Sequence, residues 1–155
     1  MHFEPGALIS VNFLLCEGIT EENGAVSLSR IADIFIVNTI EPSVIQLVPV
    51  QIAVLLKFDS DYPRDHSAKI LIEYPDGTMG EVISDIQMPV TAARAAVQRS
   101  DFGNSSSTHS FSVLTGVRFG VEQLGRHYLI LLVDGKQVAC EPLTFALQSW
   151  MTGGK

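Results

Sequence analysis

Apolar residues recur at every second position along most of this chain. In LVPVQIAVLLKF (47–58), Val48, Val50, Ile52, Val54, Leu56 and Phe58 share one parity, while Gln51 and Lys57 lie on the other. In HSAKILIEY, Ala68, Ile70, Ile72 and Tyr74 oppose Lys69 and Glu73. In THSFSVLTGVRF, Phe111, Val113, Val117 and Phe119 oppose Ser110, Ser112 and Arg118. Period two with one apolar face predicts half-buried strands. GALISVNFLLC and GEVISDIQMPV add two strands with weaker alternation. YLILLV is apolar on both faces, as a central strand covered on both sides would be.

The punctuation fits strands. Asn23-Gly24, Asp76-Gly77 and Asp134-Gly135 each separate two strand-like runs. Asx-Gly predicts a type I′ hairpin turn, whose two central residues need positive φ. Asp134 is therefore read as a turn former rather than a catalyst. Past it, the apolar parity changes at Glu141-Pro142, which predicts a bulge on an edge strand. SLSRIADIF fits either a helix capped by Ser27 or a kinked strand, and its β-branched tail favours the strand. TAARAAVQR predicts a short helix over 91–99, capped by Thr91. DFGNSSS after it reads as a loop, and its Asp-Phe-Gly lacks every companion motif of a kinase. LGRHYLILLV has the form of a tyrosine corner, with Tyr128 bonding back to the upstream backbone.

These elements predict an all-β protein, an antiparallel sandwich of about 7–9 strands of Greek-key, immunoglobulin-like or C2-like type, with one helix in a crossover. A single domain is expected over 1–155, with its core in 8–147 and a tail at 148–155. A chain of 155 residues buries about 70% of its unfolded surface and needs no disulfide or metal staple.

Three segments resemble a bacterial family of small proteins of uncharacterised function: LLCEGITEENGAVSLSRIADIF, IEYPDG and GRHYLILLVDGKQV. In that pattern a strand ends in Cys-Glu and an acidic turn leads to Gly-x-Val-Ser-Leu and a kinked strand. A Pro-containing loop (here Glu41-Pro42), a Pro-Asp-Gly hairpin and Gly-x-x-Tyr follow. The likeness spans roughly residues 8–145 and implies a β-sandwich with a strand over 25–37. It carries over no functional residue. The Ala-rich 91–99 segment departs from it.

Composition bears on partners. The chain is 46% hydrophobic and only 17% charged, against roughly 25% charged in an ordinary soluble domain. Its mean hydropathy is +0.27. A net charge of −7, with ten scattered Lys and Arg, argues against nucleic acid and anionic membranes. Met1–Ser10 lacks the form of a signal peptide and no run is long enough for a membrane helix, so a cytoplasmic location is expected. Cys16 and Cys140 are expected to be reduced and buried.

Catalytic signals are absent. There is no nucleophile elbow, phosphate loop or dinucleotide fingerprint. Glu17 is the wrong neighbour for a reactive Cys16 thiolate. Cys16, Cys140, His66, His109 and His127 lack zinc spacing. The weak metal candidate is Asp59, Asp61 and Asp65 in FDSDYPRDH, a D-x-D-x-x-x-D loop that would suit Ca²⁺, although Arg64 sits among them. No cofactor is expected. The leading expectation is a non-enzymatic sandwich acting through protein–protein contacts as scaffold, adaptor or assembly subunit. The alternatives are a sandwich binding sugar, lipid or Ca²⁺, and an enzyme with a loop-built site. Self-association as a homodimer is expected, either through the uncharged N-terminal strand if it is an edge, since Pro49 and Glu141-Pro142 guard other strands, or by face-to-face packing of an apolar outer face.

Overall fold

The computed structural model describes residues 7–23, 25–37, 46–59, 64–92, 94–99 and 105–151. Its strands are β1 (Leu8–Glu22), β2 (Ala25–Ile31), β3 (Ile34–Val37), β4 (Gln46–Asp59), β5 (His66–Glu73), β6 (Met79–Met88), β7 (Arg94–Arg99), β8 (Ser105–Val121), β9 (Gly125–Val133) and β10 (Lys136–Leu147). They form two five-stranded sheets, ordered β2-β1-β4-β8-β7 and β3-β10-β9-β5-β6. Between them lies one core, so the protein is a β-sandwich. All neighbours are antiparallel except β3 and β10, which run parallel.

The period-two residues build this core. Val48, Val50, Ile52, Val54, Leu56 and Phe58 are all buried, as are Ala68, Ile70 and Ile72 opposite them. On β9, Leu129, Leu131 and Val133 face inward, and Ile130 is buried on the outer face. The strand reading of SLSRIADIF holds, and its kink has a purpose. β2 pairs with β1, the chain crosses at Ala32-Asp33, and β3 joins the opposite sheet. The crossing is pinned where Ala32 N–H donates to Leu15 O and Thr144 N–H donates to Asp33 O.

Several expectations are corrected. The short helix over 91–99 is not formed. Val90–Ala92 make one 3₁₀ turn, and Arg94–Arg99 form β7 against Ser105–Ser110. Ladder bonds offered by β8 outweigh alanine's helix preference, which is small per residue. Ser105–Ser107 thus belong to a strand rather than a loop, while 100–104 lie outside the described residues. Asp134-Gly135 is a type I′ turn, with φ of 50° and 80°. At Asp76-Gly77 only Gly77 has positive φ, 87°. Gly77 N–H donates to Tyr74 O and Tyr74 N–H to Thr78 O, so this hairpin has a three-residue loop rather than type I′. At the third turn Asn23 has a φ of 52° and Glu22 faces Ala25; Gly24 lies outside the described residues.

Prolines mark where ladders stop. Pro49 is in β4, but β1 reaches only Gln51, so one side of Pro49 has no strand among the described residues. The register shift in β10 falls between Gln137 and Ala139, not at Glu141-Pro142. β3 covers only Thr144–Leu147, so among the described residues β10 is interior there and an edge around Pro142. A residue without N–H is tolerated at such half-edges.

Candidate functional site

Among the described residues, buried histidines enter the sandwich at two places. The first lies beside the β9–β10 turn. His66 has the same parity as Ala68 and Ile70, so β5 carries it to the inner face, where it is only 4% exposed. Its ring stacks on Phe58, with centroids 3.7 Å apart and planes 11° from parallel. A buried imidazole needs a partner, and Asp134 supplies it: His66 Nδ1–H donates to Asp134 Oδ2 at 2.6 Å. Asp134 Oδ1 accepts from Ser67 N–H at 3.1 Å, and Asp134 N–H donates to Ser67 O at 2.9 Å. Arg64, exposed, stands 3.9 Å away.

Asp134 is therefore more than a turn former. Burial pushes its carboxyl pKa up, but the hydrogen bonds from His66 and Ser67 N–H, with the charges of His66 and Arg64, hold it below the usual carboxylate range. An aspartate on a histidine is also half of an acyl-transfer triad. Here the ring is shut between the sheets and leaves almost no surface for a substrate. The pair ties the turn to β5. Nearby, the buried Nδ1 of His109 has no hydrogen-bond partner among the described residues.

The second place is a cleft of about 190 Å³ between β6 and the far half of β8, lined by Ile72, Tyr74, Val82, Phe119, His127 and Phe145 among others. His127, not Tyr128, takes the inward position at the start of β9. Tyr128 lies on the outer face and is 36% exposed, so no tyrosine corner forms. His127 Nδ1–H donates to Gly125 O at 3.1 Å, and Gly125 holds a φ of 108° there. Burial lowers the His127 pKa and outweighs its bonds to the Gly125 and Leu143 backbone, which favour the charged ring. The rings of Tyr74 and Phe145 meet it edge to face at 5.7 and 5.1 Å.

Of the metal candidates, Asp59 and Asp65 are among the described residues. Asp59 is the last residue of β4, opposite Thr108. Asp65 accepts a bond from Val90 N–H at 2.7 Å, and so holds the 3₁₀ turn. Asp61 lies outside the described residues. No group of three His, Cys, Asp or Glu suited to a metal occurs among those described. The cysteines lie in opposite sheets. Cys16 is buried, whereas Cys140, expected to be buried, is exposed. Burial raises the Cys16 pKa, and no effect of Glu17 enters. Partial desolvation by neighbouring atoms, then the charges of Glu141 and Glu73, raise that of Cys140. Neither thiol is activated.

No protein-family model matches this chain. No curated protein matches it either. Among solved structures, it is similar to the Pseudomonas fluorescens alkylpurine DNA glycosylase AlkC bound to DNA containing an abasic site analog, at 10% identity and a TM-score of 0.40. That likeness covers 87% of this chain and 30% of the glycosylase. No helix among the described residues is long and apolar enough to cross a membrane.

The sheet edges complete the candidate surfaces. β2 pairs only with Cys16–Glu22, so Leu8–Leu15 of β1 has β4 on one side and no strand on the other among the described residues. Ile9 and Ile31, 40% and 63% exposed, stand at the two ends of this half-edge. Likewise β7 covers β8 only over Ser105–Ser110.

Proposed function

We propose that this protein is a non-enzymatic, cytoplasmic β-sandwich that works through protein–protein contacts as a scaffold, adaptor or assembly subunit, and that it self-associates as a homodimer. The observation that carries this reading is the unguarded half-edge of β1. LISVNFLL (8–15) contains no charge and no proline, and these are the usual devices that keep an edge from pairing. Apart from Leu15 O, which accepts from Ala32 N–H, its outward N–H and C=O groups meet no strand among the described residues. Antiparallel pairing of two such edges about a two-fold axis satisfies both and closes the assembly. The small share of charged residues supports the same reading.

Light scattering at micromolar concentration tests it. The expected species has twice the 16.9 kDa chain mass. Phe13 and Val11 are unsuitable probes, because Phe13 is a core residue and Val11 packs against the core. The double change Ser10→Lys, Asn12→Lys places like charges across the seam instead. It is expected to weaken the dimer by about tenfold or more while circular dichroism and melting stay unchanged. A wild-type protein that remains at single-chain mass overturns the dimer.

A further inference from the structure

We infer that the free outer edge of β8, over Phe111–Val121, together with the cleft beside it, takes an extended peptide segment of a partner protein, apolar and acidic at alternate residues. The inference rests on the protein-contact reading above but concerns a different edge. Phe111–Val121 pairs with β4 on one side, and β7 stops at Ser110. On the other side alternate residues direct their backbone N–H and C=O groups away from β4, and no strand among the described residues meets them. An extended chain is the ligand that satisfies such a row, by strand addition.

The cleft gives the first half of the pattern. Val117 and Phe119 line it and have the inward parity of β8. Neighbouring residues of an added strand alternate likewise, so those beside Val117 and Phe119 face the cleft. The cleft's 190 Å³ is below the roughly 300–1,000 Å³ of small-molecule sites. It corresponds to roughly six waters at about 30 Å³ each, the room of one large side chain. Its aromatic floor of Phe119, Phe145, Tyr74 and buried His127 suits an apolar or aromatic one.

Charge gives the second half. Arg118, between Val117 and Phe119, also lines the cleft. It is exposed and has no ion-pair partner among the described residues. Glu81, on the other lip, is engaged by Lys69 at 3.4 Å. In a chain of net charge −7, the cleft thus offers an uncompensated cation. A carboxylate opposite Arg118, one residue from the anchor, complements it.

The probe is the acetylated, amidated peptide Thr-Val-Asp-Phe-Asp-Val-Thr. The control is the same peptide with Lys in place of Asp. Amide chemical shifts of the full chain are followed during titration. The acidic peptide is expected to saturate, with the largest shifts in 113–121 and in the cleft residues. Arg118→Glu, at an exposed position that leaves folding intact, is expected to weaken the acidic peptide at least about threefold and to reverse the preference towards the Lys peptide. Lack of saturation, shifts centred on β1, or equal affinity of wild type and Arg118→Glu overturns the inference. Light scattering on the same samples separates the claims. A dimer that ignores the peptide removes only the β8 inference, whereas a peptide-binding monomer removes only the β1 seam.

Discussion

Replacing Phe145 by Ala is expected to lower stability by about 3–5 kcal/mol, the usual range for deleting a fully buried aromatic ring. Phe145 is 1% exposed. Its ring lies 6.0 Å from that of Phe119 across the sheets and 5.1 Å from that of His127. It lines the cleft floor, so the void would join the cleft and admit water onto His127, and collapse cannot recover the lost contacts. Urea unfolding measures the loss as a fall in midpoint at unchanged slope. Ile31→Ala, at an exposed position, should stay within about 0.5 kcal/mol. A loss under about 1 kcal/mol at Phe145 would mean that this ring is not part of the core.

Replacing Asp134 by Ala should cost about 2–3 kcal/mol at neutral pH. The Nδ1–H of His66 and the N–H of Ser67 lose their acceptor, and a buried donor left unpaired is costly. Alanine at a φ of 50° adds about 1 kcal/mol of that total, which aspartate largely avoids. Asp134→Asn keeps the turn preference and one oxygen, and should cost roughly half as much. The pH dependence has a definite sign. The folded carboxyl pKa is depressed, so its stabilisation is fully present above the unfolded value of about 3.9. It is lost as pH falls through the lower folded value. The gap between wild type and Asp134→Asn should therefore narrow from pH 7 to pH 3. A gap that is constant or wider at pH 3 would contradict the assignment.

The strands were legible wherever one face is buried along their whole length, as in β4 and β5. Type I′ geometry at Asp134-Gly135 was legible from turn chemistry, and the kinked strand from its β-branched tail. β7 was not, because an Ala-rich segment becomes a strand only when a neighbouring edge supplies its ladder. The Tyr128 corner was a misreading that parity alone corrects: His127 shares its parity with Leu129, Leu131 and Val133, and Tyr128 does not. The Asp134–His66 pair was half legible. The parity of His66 puts it inside, and a buried histidine needs an acceptor, but nothing local names a residue 68 positions away. The lack of charge and proline in β1 was legible, but the extents of the half-edges of β1 and β8 were not, since they depend on where β2 and β7 stop.

Residue-resolved amide exchange across a protein concentration series tests the β1 seam most directly. In a single copy no strand among the described residues meets the outward amides of Leu8–Leu15, while those facing β4 belong to its ladder. The outward set is expected to slow by about tenfold or more as concentration rises, in step with the dimer fraction, while the outer-edge amides of 111–121 on β8 do not change. Exchange independent of concentration throughout β1, or slowing confined to β3 or β8, would contradict it.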